Sequence, residues 1–275
     1  IFSEIPIGTY TIYEDEKTVP TAYLVADPQN VTVTYAETKE VPIENKEKTG
    51  SITVHKTTEG QKNIEGIKFY LRGTSDSGRA IDIPATTDKD GIAKFDGVPI
   101  GTYMVIEDEE TVPYGYLVAD EKEVKVEYAQ TIDETILNNE QTGTVKVHKK
   151  TADMTNVEGI RFILSGISDT GREIRIEATT DKDGLAKFEG VPVGTYTITE
   201  DGSTVPYGYL VADSKQVTVA YAQTVDTDMV NEKAPDTPNT GVTDNDSDGS
   251  KALCSVAIIL AGAAIVMFSR KRKER

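Results

Sequence analysis

Cysteine and histidine are scarce in this sequence of 275 residues, and their scarcity excludes several kinds of site. The single cysteine, Cys254, lies inside an apolar run near the C-terminus, so no disulfide can stabilise the rest of the chain. The only two histidines, His55 and His148, stand about 93 positions apart on the outward face of predicted strands. They therefore indicate neither a metal site nor a hydrolase triad, and we expect no cofactor.

Positive charge is also in short supply. The formal net charge is −17, although the C-terminus carries a basic cluster, so the remainder of the chain is more acidic still. An acidic surface repels nucleic acid and anionic lipid. The composition thus excludes a nucleic acid as a partner.

Long apolar segments are missing except at one place, residues 252–268. This run of roughly 17 apolar or small residues is at the short end of what crosses a bilayer. A basic cluster follows it, which is not typical of a buried core helix, so the pattern predicts a transmembrane segment over 252–269 and a cytoplasmic tail over 270–275. The rest of the chain is then exported. Because no leader follows Ile1, we expect the export signal in a preceding segment.

The exported part repeats itself without gaps, with a period of about 93 residues. The stretch FDGVPIGTYMVIEDEETVPYGYLVAD, which starts at Phe95, recurs from Phe188 as FEGVPVGTYTITEDGSTVPYGYLVAD and in weaker form from Phe2. The spacing predicts the C-terminal half of a repeat over 1–46 (repeat 1) and two whole repeats, over 47–141 (repeat 2) and 142–234 (repeat 3). A linker over 235–251 follows them.

Each whole repeat is long enough to have its own core, and its short segments are rich in Val, Ile, Thr, Tyr and Phe. The turns between them include Asp90-Gly91 and Asp183-Gly184, which are typical of hairpins and explain the neighbouring aspartates better than calcium binding does. No helical period is visible before residue 252. The pattern predicts an all-β sandwich. The segments of repeat 2 are SITVHK, IKFYL, IAKF, TYMVI, YLVA, EVKVEYA and ETILN.

Strand alternation directs three polar side chains of each whole repeat toward the core. In SITVHK, Lys56 shares a face with Ile52 and Val54. The same parity turns Glu107 inward from a middle strand and Asn138 inward from the last strand. The matching residues are Lys149, Glu200 and Asn231 in repeat 3, and Glu14 and Asn45 in repeat 1.

Such a group has a chemical use. Burial disfavours the charged forms of an amine and a carboxyl, so a neutral lysine can face an asparagine whose carbonyl is polarised by a protonated glutamic acid. The products would be an isopeptide bond and ammonia. The alternative is that each lysine extends from an edge strand to water and each glutamate faces solvent, since the register of a short strand can slip by one residue.

The run from Tyr103 to Tyr116, which contains Glu107, Pro113 and Gly115, resembles the glutamate-containing box of collagen-adhesin B-type domains and Gram-positive pilin subunits. The run in repeat 3 matches equally well, with Tyr196, Glu200, Pro206, Gly208 and Tyr209. This resemblance implies tandem prealbumin-like, inverse-immunoglobulin β-sandwiches.

The resemblance also implies roles for the inward polar residues. Lys56 would bond Asn138 with Glu107 as the catalyst. In repeat 3, Lys149 would bond Asn231 with Glu200 in the same role. Repeat 1 departs from the pattern, with Thr21-Ala22 in place of Tyr-Gly. Glu14 and Asn45 are therefore assigned by register alone, and their lysine would precede Ile1.

A second resemblance lies in the linker. Residues 237–241 resemble the LPXTG signal read by sortases, with Thr in place of Leu, and a polar spacer, the apolar run and the basic tail follow in order. This implies that sortase cuts between Thr240 and Gly241 and joins Thr240 to peptidoglycan or a pilus subunit, so that the membrane anchor is transient. The alternative is a proline-containing linker before an ordinary anchor. The motif consists of Thr237, Pro238, Asn239, Thr240 and Gly241.

These features together predict a secreted, cell-wall-anchored surface protein whose repeats form a structural stalk or pilin-like subunit. Its only expected chemistry is a single-turnover crosslink, so we do not expect an enzyme. The alternative is an adhesin whose repeats bind host matrix or glycan directly, with Tyr114 and Tyr207 as candidate contacts. Binding of the purified repeats to a matrix or glycan array would favour that alternative.

Overall fold

The computed structural model describes residues 1–60, 64–153 and 157–235. Residues 1–234 form one compact unit of β-strands and single-turn 3₁₀ helices, so the predicted all-β class is confirmed. Among these described residues, no helix has the length and apolarity needed to span a bilayer. The predicted transmembrane segment 252–269 and the tail 270–275 lie outside the described residues, as does the linker from residue 236 onward.

Repeat 1 contributes one antiparallel pair, and repeat 2 contributes two sheets. The pair consists of β1 (Gly8–Ile12) and β2 (Gln29–Val33). In repeat 2 the sheets have the strand orders β6-β3-β9 and β5-β4-β7-β8. Its strands are β3 (Thr49–Thr58), β4 (Lys68–Ser75), β5 (Ala80–Thr86), β6 (Ile92–Pro99), β7 (Gly101–Glu107), β8 (Lys122–Val126) and β9 (Thr131–Asn138).

Repeat 3 has the same topology, with sheets ordered β13-β10-β16 and β12-β11-β14-β15. Both whole repeats are therefore sandwiches of a three-stranded and a four-stranded sheet. The strands of repeat 3 are β10 (Thr142–Thr151), β11 (Arg161–Ser168), β12 (Glu173–Thr179), β13 (Leu185–Pro192), β14 (Gly194–Glu200), β15 (Lys215–Val219) and β16 (Thr224–Asn231).

Each sandwich has its own apolar core between its two sheets. Along β3 every second residue from Gly50 to Thr58 is buried, which is the alternation expected of a strand with one face on a core. Ile52 and Val54 from this face pack with Phe69, among others, in one cluster, and an equivalent cluster fills repeat 3. The two cores are separate, so each whole repeat has the apolar burial that stabilises an independent domain.

The first and last strands of each whole repeat are parallel neighbours. In repeat 2, Lys56 of β3 is level with Ile136 of β9, and Thr58 is level with Asn138. Glu107 ends β7 in the opposing sheet. This topology brings both chain ends of the repeat into one sheet and faces them with the glutamate from the other.

A close backbone approach at Gly50 fixes where β3 meets the turn before β9. A Cβ atom on Gly50 would lie 2.5 Å from the carbonyl oxygen of Glu127, which only a glycine avoids. The turn is completed by Ala129 in the left-handed region at φ 57°, and its N–H donates to Thr49. Gly143 repeats this approach in repeat 3, where its Cβ would meet the carbonyl oxygen of Ala220 at 2.7 Å. A side chain larger than hydrogen at either glycine would therefore push this turn away from the first strand.

Two details differ from the sequence predictions. The segment YLVA is not a strand, since only Tyr116 makes an isolated bridge, to Glu140. Conversely, β5 is absent from the predicted segments. It contains Pro84, which the sheet tolerates because β5 lies at an edge.

The Asp-Gly turns also differ, because they do not join paired strands. The turn at Asp90-Gly91 carries the chain from β5 in one sheet to β6 in the other. Gly91 adopts φ 73°, and the Asp88 carboxylate accepts the N–H groups of Asp90 and Ile92. The bond from Ile92 contributes most to lowering the pKa of Asp88. The aspartate therefore has a structural partner in the turn itself.

Candidate functional site

The three inward polar residues of repeat 2 meet in the core. Lys56, Glu107 and Asn138 are 1%, 6% and 0% exposed. The Nζ atom of Lys56 lies 3.4 Å from Oε1 of Glu107, and Nδ2 of Asn138 donates to Oε2 of the same carboxylate at 2.6 Å. A single carboxylate therefore contacts the amine on one side and the amide on the other.

The amine of Lys56 is held by backbone as well as by the carboxylate. It donates to the carbonyl oxygens of Thr57 at 2.8 Å and Ile136 at 3.1 Å. Burial lowers the pKa of Lys56 below its ordinary value, while the charge of Glu107 acts in the opposite direction. The alternative in which this lysine extends to water does not hold, because its side chain has no exposed area.

Repeat 3 reproduces the arrangement. The Nζ atom of Lys149 lies 3.4 Å from Oε1 of Glu200, and Nδ2 of Asn231 donates to Oε2 of Glu200. Burial likewise lowers the pKa of Lys149. Two sandwiches with separate cores thus contain the same buried group.

The box sequence positions Glu107 by stopping β7 directly after it. The side chain of Asp108 accepts the N–H of Glu110 and caps the 3₁₀ turn Glu109–Thr111. The hydroxyl of Thr111 in turn accepts the N–H of Lys68 on β4, so the turn is tied to the sheet. The glutamate is therefore held at the end of a strand whose continuation is fixed by hydrogen bonds on both sides.

The end of the box and the segment after it fold back over the Glu107 carboxylate. Gly115 adopts φ +91° and reverses the chain, after which Ala119 donates its N–H to Oε2 of Glu107 at 2.8 Å and Leu117 accepts Nδ2 of Asn138. Sequence reasoning missed Leu117 and Ala119 because they act through backbone atoms. The signal was the segment YLVAD, which is identical in all three repeats.

The amide of Asn138 is oriented differently from the expectation. Its nitrogen, not its carbonyl oxygen, meets the Glu107 carboxylate, because the same nitrogen also donates to the carbonyl of Leu117. Turning the amide over would set two carbonyl oxygens against each other. Among the described atoms, Oδ1 of Asn138 and Oε1 of Glu107 are buried without a hydrogen-bond partner.

Repeat 1 keeps the glutamate and asparagine of the group. Asn45 donates to Glu14 and to the carbonyl of Leu24, and the N–H of Ala26 donates to Glu14. Both side chains are half-buried. Ala22, which replaces the glycine of the other boxes, is not in the left-handed region. The backbone of Leu24 and Ala26 nevertheless makes the same contacts with Asn45 and Glu14 as the equivalent backbone does in repeat 2.

The other sequence candidates lie apart from this group. His55 and His148 are on the outer face and contact Asp133 and Asp226 at 3.1 and 2.8 Å. Tyr114 and Tyr207 are exposed at the box loops. The predicted sorting motif Thr237, Pro238, Asn239, Thr240 and Gly241 lies outside the described residues.

The model of the SpaA prealbumin-like fold domain matches residues 50–141 and 143–233. The chain belongs to this family. The predicted tandem prealbumin-like domains are therefore confirmed. No curated protein sequence matches the chain.

Solved structures that are similar to the chain include three bacterial proteins. The TIE protein of Bacillus anthracis has a TM-score of 0.57 and 21% identity, with 82% of this chain and 42% of that chain covered, so the chain spans less than half of its length. The minor pilin GBS52 of Streptococcus agalactiae has a TM-score of 0.33, 19% identity and coverages of 69% and 98%. The shaft pilin SpaA of Lactobacillus rhamnosus GG has a TM-score of 0.32, 16% identity and coverages of 69% and 100%.

The buried lysines predict a pH dependence in a chain that cannot crosslink. In the double variant Asn138→Ala/Asn231→Ala, the folded state holds each lysine at a lowered pKa. As the pH rises toward the ordinary lysine pKa of 10.5, the unfolded state therefore binds more protons than the folded state. The free energy of unfolding, measured in urea, should rise between about pH 7 and 10. Above that range, Tyr103 and Tyr196 act oppositely, because burial raises the pKa of each to about 12.

The control adds Lys56→Met and Lys149→Met to the double variant, which should flatten this pH dependence. A free energy of unfolding that stays constant or falls from pH 7 to 10 with the lysines present would contradict the assigned burial of the two amines.

Proposed function

We propose that this chain is the stalk of a secreted Gram-positive surface protein or a pilin-like subunit, in which Lys56–Asn138 and Lys149–Asn231 isopeptide bonds close the two whole repeats. The observation that carries the proposal is the single buried carboxylate in contact with both the amine and the amide. This pairing places an acid–base group beside both the nucleophile and the leaving group.

We assign each oxygen of Glu107 a step according to the group that it contacts. In contrast to the protonated acid of the sequence prediction, Glu107 begins this step as a carboxylate. Its Oε1, 3.4 Å from Nζ of Lys56, accepts a proton from the neutral amine as Nζ attacks the Cγ carbon of Asn138. Oε2, already bonded to Nδ2, lies where a proton must be returned to the leaving nitrogen. The Nζ–Cγ bond forms, the Cγ–Nδ2 bond breaks and ammonia departs. The glutamate ends in its starting protonation state, and the reaction happens once per repeat.

The crosslink suits a stalk because of the strands it joins. It connects β3 to β9, the two parallel neighbours through which the chain enters and leaves repeat 2. Closing a loop of about 80 residues corresponds to ~4–5 kcal/mol by the chain-entropy estimate for disulfides. Under tension the load would pass from β3 to β9 through the covalent bond, and the residues between them would not bear it.

The anchoring part of the proposal is supported by sequence. The motif at 237–241, the apolar run and the basic tail stand in the order of a sorting signal. We assign sortase as the processing partner, Thr240 as the residue joined to peptidoglycan or a pilus subunit, and residues 252–269 as a transient membrane anchor. The mature protein would then reside at the cell wall.

The crosslink predicts a change in mass. Recombinant residues 1–234 should be lighter than the sequence mass by two molecules of ammonia, because each whole repeat releases one. Intact-mass spectrometry measures this directly, and a tryptic digest should contain branched peptides that join Lys56 to Asn138 and Lys149 to Asn231. Glu107→Ala should abolish the loss in repeat 2 alone, and Glu200→Ala the loss in repeat 3 alone.

The matched control is Glu109→Ala, which removes an exposed carboxyl from the same box loop and should leave both losses intact. Folded protein with the unmodified sequence mass would refute the crosslink and leave the anchoring proposal standing.

The anchoring proposal predicts that Thr240→Ala keeps the protein in the membrane fraction of a Gram-positive host, while the parent sequence appears in the muramidase-released cell-wall fraction. Immunoblots of the two fractions measure the distribution. Thr243→Ala, in the spacer, is the control and should behave as the parent. Equal cell-wall release of Thr240→Ala and the parent would exclude Thr240 as the joined residue.

A further inference from the structure

The joint between repeats 2 and 3 has no free linker. Only residues 139–141 separate β9 from β10. Gln141 donates its N–H to Gly115 of repeat 2 at 2.7 Å and accepts the N–H of Val193 of repeat 3 at 3.0 Å. The connecting backbone is therefore bonded to both sandwiches.

A buried carboxylate lies within this joint. The side chain of Glu140 has no exposed area. It accepts the hydroxyl of Thr170 and the guanidinium of Arg172, both from the turn between β11 and β12 of repeat 3. Its N–H donates to Glu59 of repeat 2 at 3.2 Å, and Arg172 also lies 3.8 Å from that carboxylate. The Arg172 side chain thus faces two acidic residues of the preceding repeat.

The preceding joint is built in the same way. Glu47 stands before β3 and forms a bridge with Tyr23 of repeat 1. Its carboxylate accepts Ser77 and lies 2.8 Å from the guanidinium of Arg79, in the turn between β4 and β5. The turn sequences SDSGR and SDTGR, which end at Arg79 and Arg172, therefore serve the same purpose in both whole repeats.

The end of repeat 3 carries the opposite charge at the matching position. Lys233 keeps the backbone bridge, to Tyr209, but its amine lies 3.4 Å from Asp153 of its own repeat. A repeat can therefore form this bridge with a lysine there. The backbone bridge therefore does not require a glutamate at the junction position. The charge of Glu47 or Glu140 is matched instead to the arginine in the turn that follows it, Arg79 or Arg172.

We propose that the turn ending in Arg79 or Arg172 is a docking surface for the glutamate at the junction with the preceding repeat, Glu47 or Glu140 respectively, and that this charge pair locks consecutive repeats into one rigid rod. A fully buried carboxylate is costly unless it is paired and hydrogen-bonded, so Glu140 favours the docked arrangement in which Arg172 and Thr170 reach it. The lock depends neither on the isopeptide bonds nor on sorting.

The test uses residues 1–234, whose two complete sandwiches have separate cores. In the parent, ¹⁵N relaxation should give repeats 2 and 3 one shared rotational correlation time. Glu140→Lys, which places the residue found at position 233 against Arg172, should lower both correlation times toward that of a single repeat. The charge exchange Glu140→Lys/Arg172→Glu, made together with Glu59→Gln because Glu59 lies 3.8 Å from Arg172, should restore the shared value.

The control is Arg72→Glu, which replaces an exposed ion pair with Asp82 inside repeat 2 by two negative charges. It should leave the shared correlation time unchanged. If Glu140→Lys leaves the shared correlation time intact, the backbone bonds around Gln141 hold the joint and the proposal is wrong. If Glu140→Lys separates the repeats and the charge exchange does not rejoin them, the pair does not act as a lock and the proposal is equally wrong.

Discussion

The central constraint on each whole repeat is a carboxylate that is buried between its two sheets. Glu107 is enclosed by two sheets, and a buried carboxylate is tolerated only when donors surround it. Those donors come from every part of the fold: Lys56 from the first strand, Asn138 from the last and the N–H of Ala119 from the returning box loop. The parallel pairing of β3 with β9 brings Lys56 and Asn138 together, and the box loop brings Ala119 to the same point.

Buried carboxylates with matched donors occur at two kinds of place in the chain, inside a repeat and between repeats. Inside a repeat, burial places an amine and an amide on one carboxylate, and the proposed bond would replace these two buried polar groups by a single secondary amide. Between repeats, burial of Glu140 is matched by Arg172, whose guanidinium cannot form such a bond. In the proposed account, the first arrangement makes the load path through each repeat covalent, and the second keeps consecutive repeats aligned.

Alternation along short strands placed Lys56 and Asn138 on the core face, and the 93-residue period selected Asn138 over its neighbour Asn139. Both inferences depend only on backbone periodicity, which sequence displays directly. The amide orientation could not be predicted, because it is set by the carbonyl of Leu117 in a loop that had been interpreted as a strand. The change of sheet at Asp90-Gly91 was also hidden, since an Asp-Gly turn has the same local sequence whichever strands it joins.

Pulling residues 1–234 from both ends in a single-molecule force experiment tests the central claim most directly. If covalent bonds carry the load through repeats 2 and 3, neither repeat should release the roughly 280 Å expected from about 80 residues at about 3.5 Å each. The double variant Glu107→Ala/Glu200→Ala should release two such lengths. Two releases of that length from the unsubstituted chain would contradict the account.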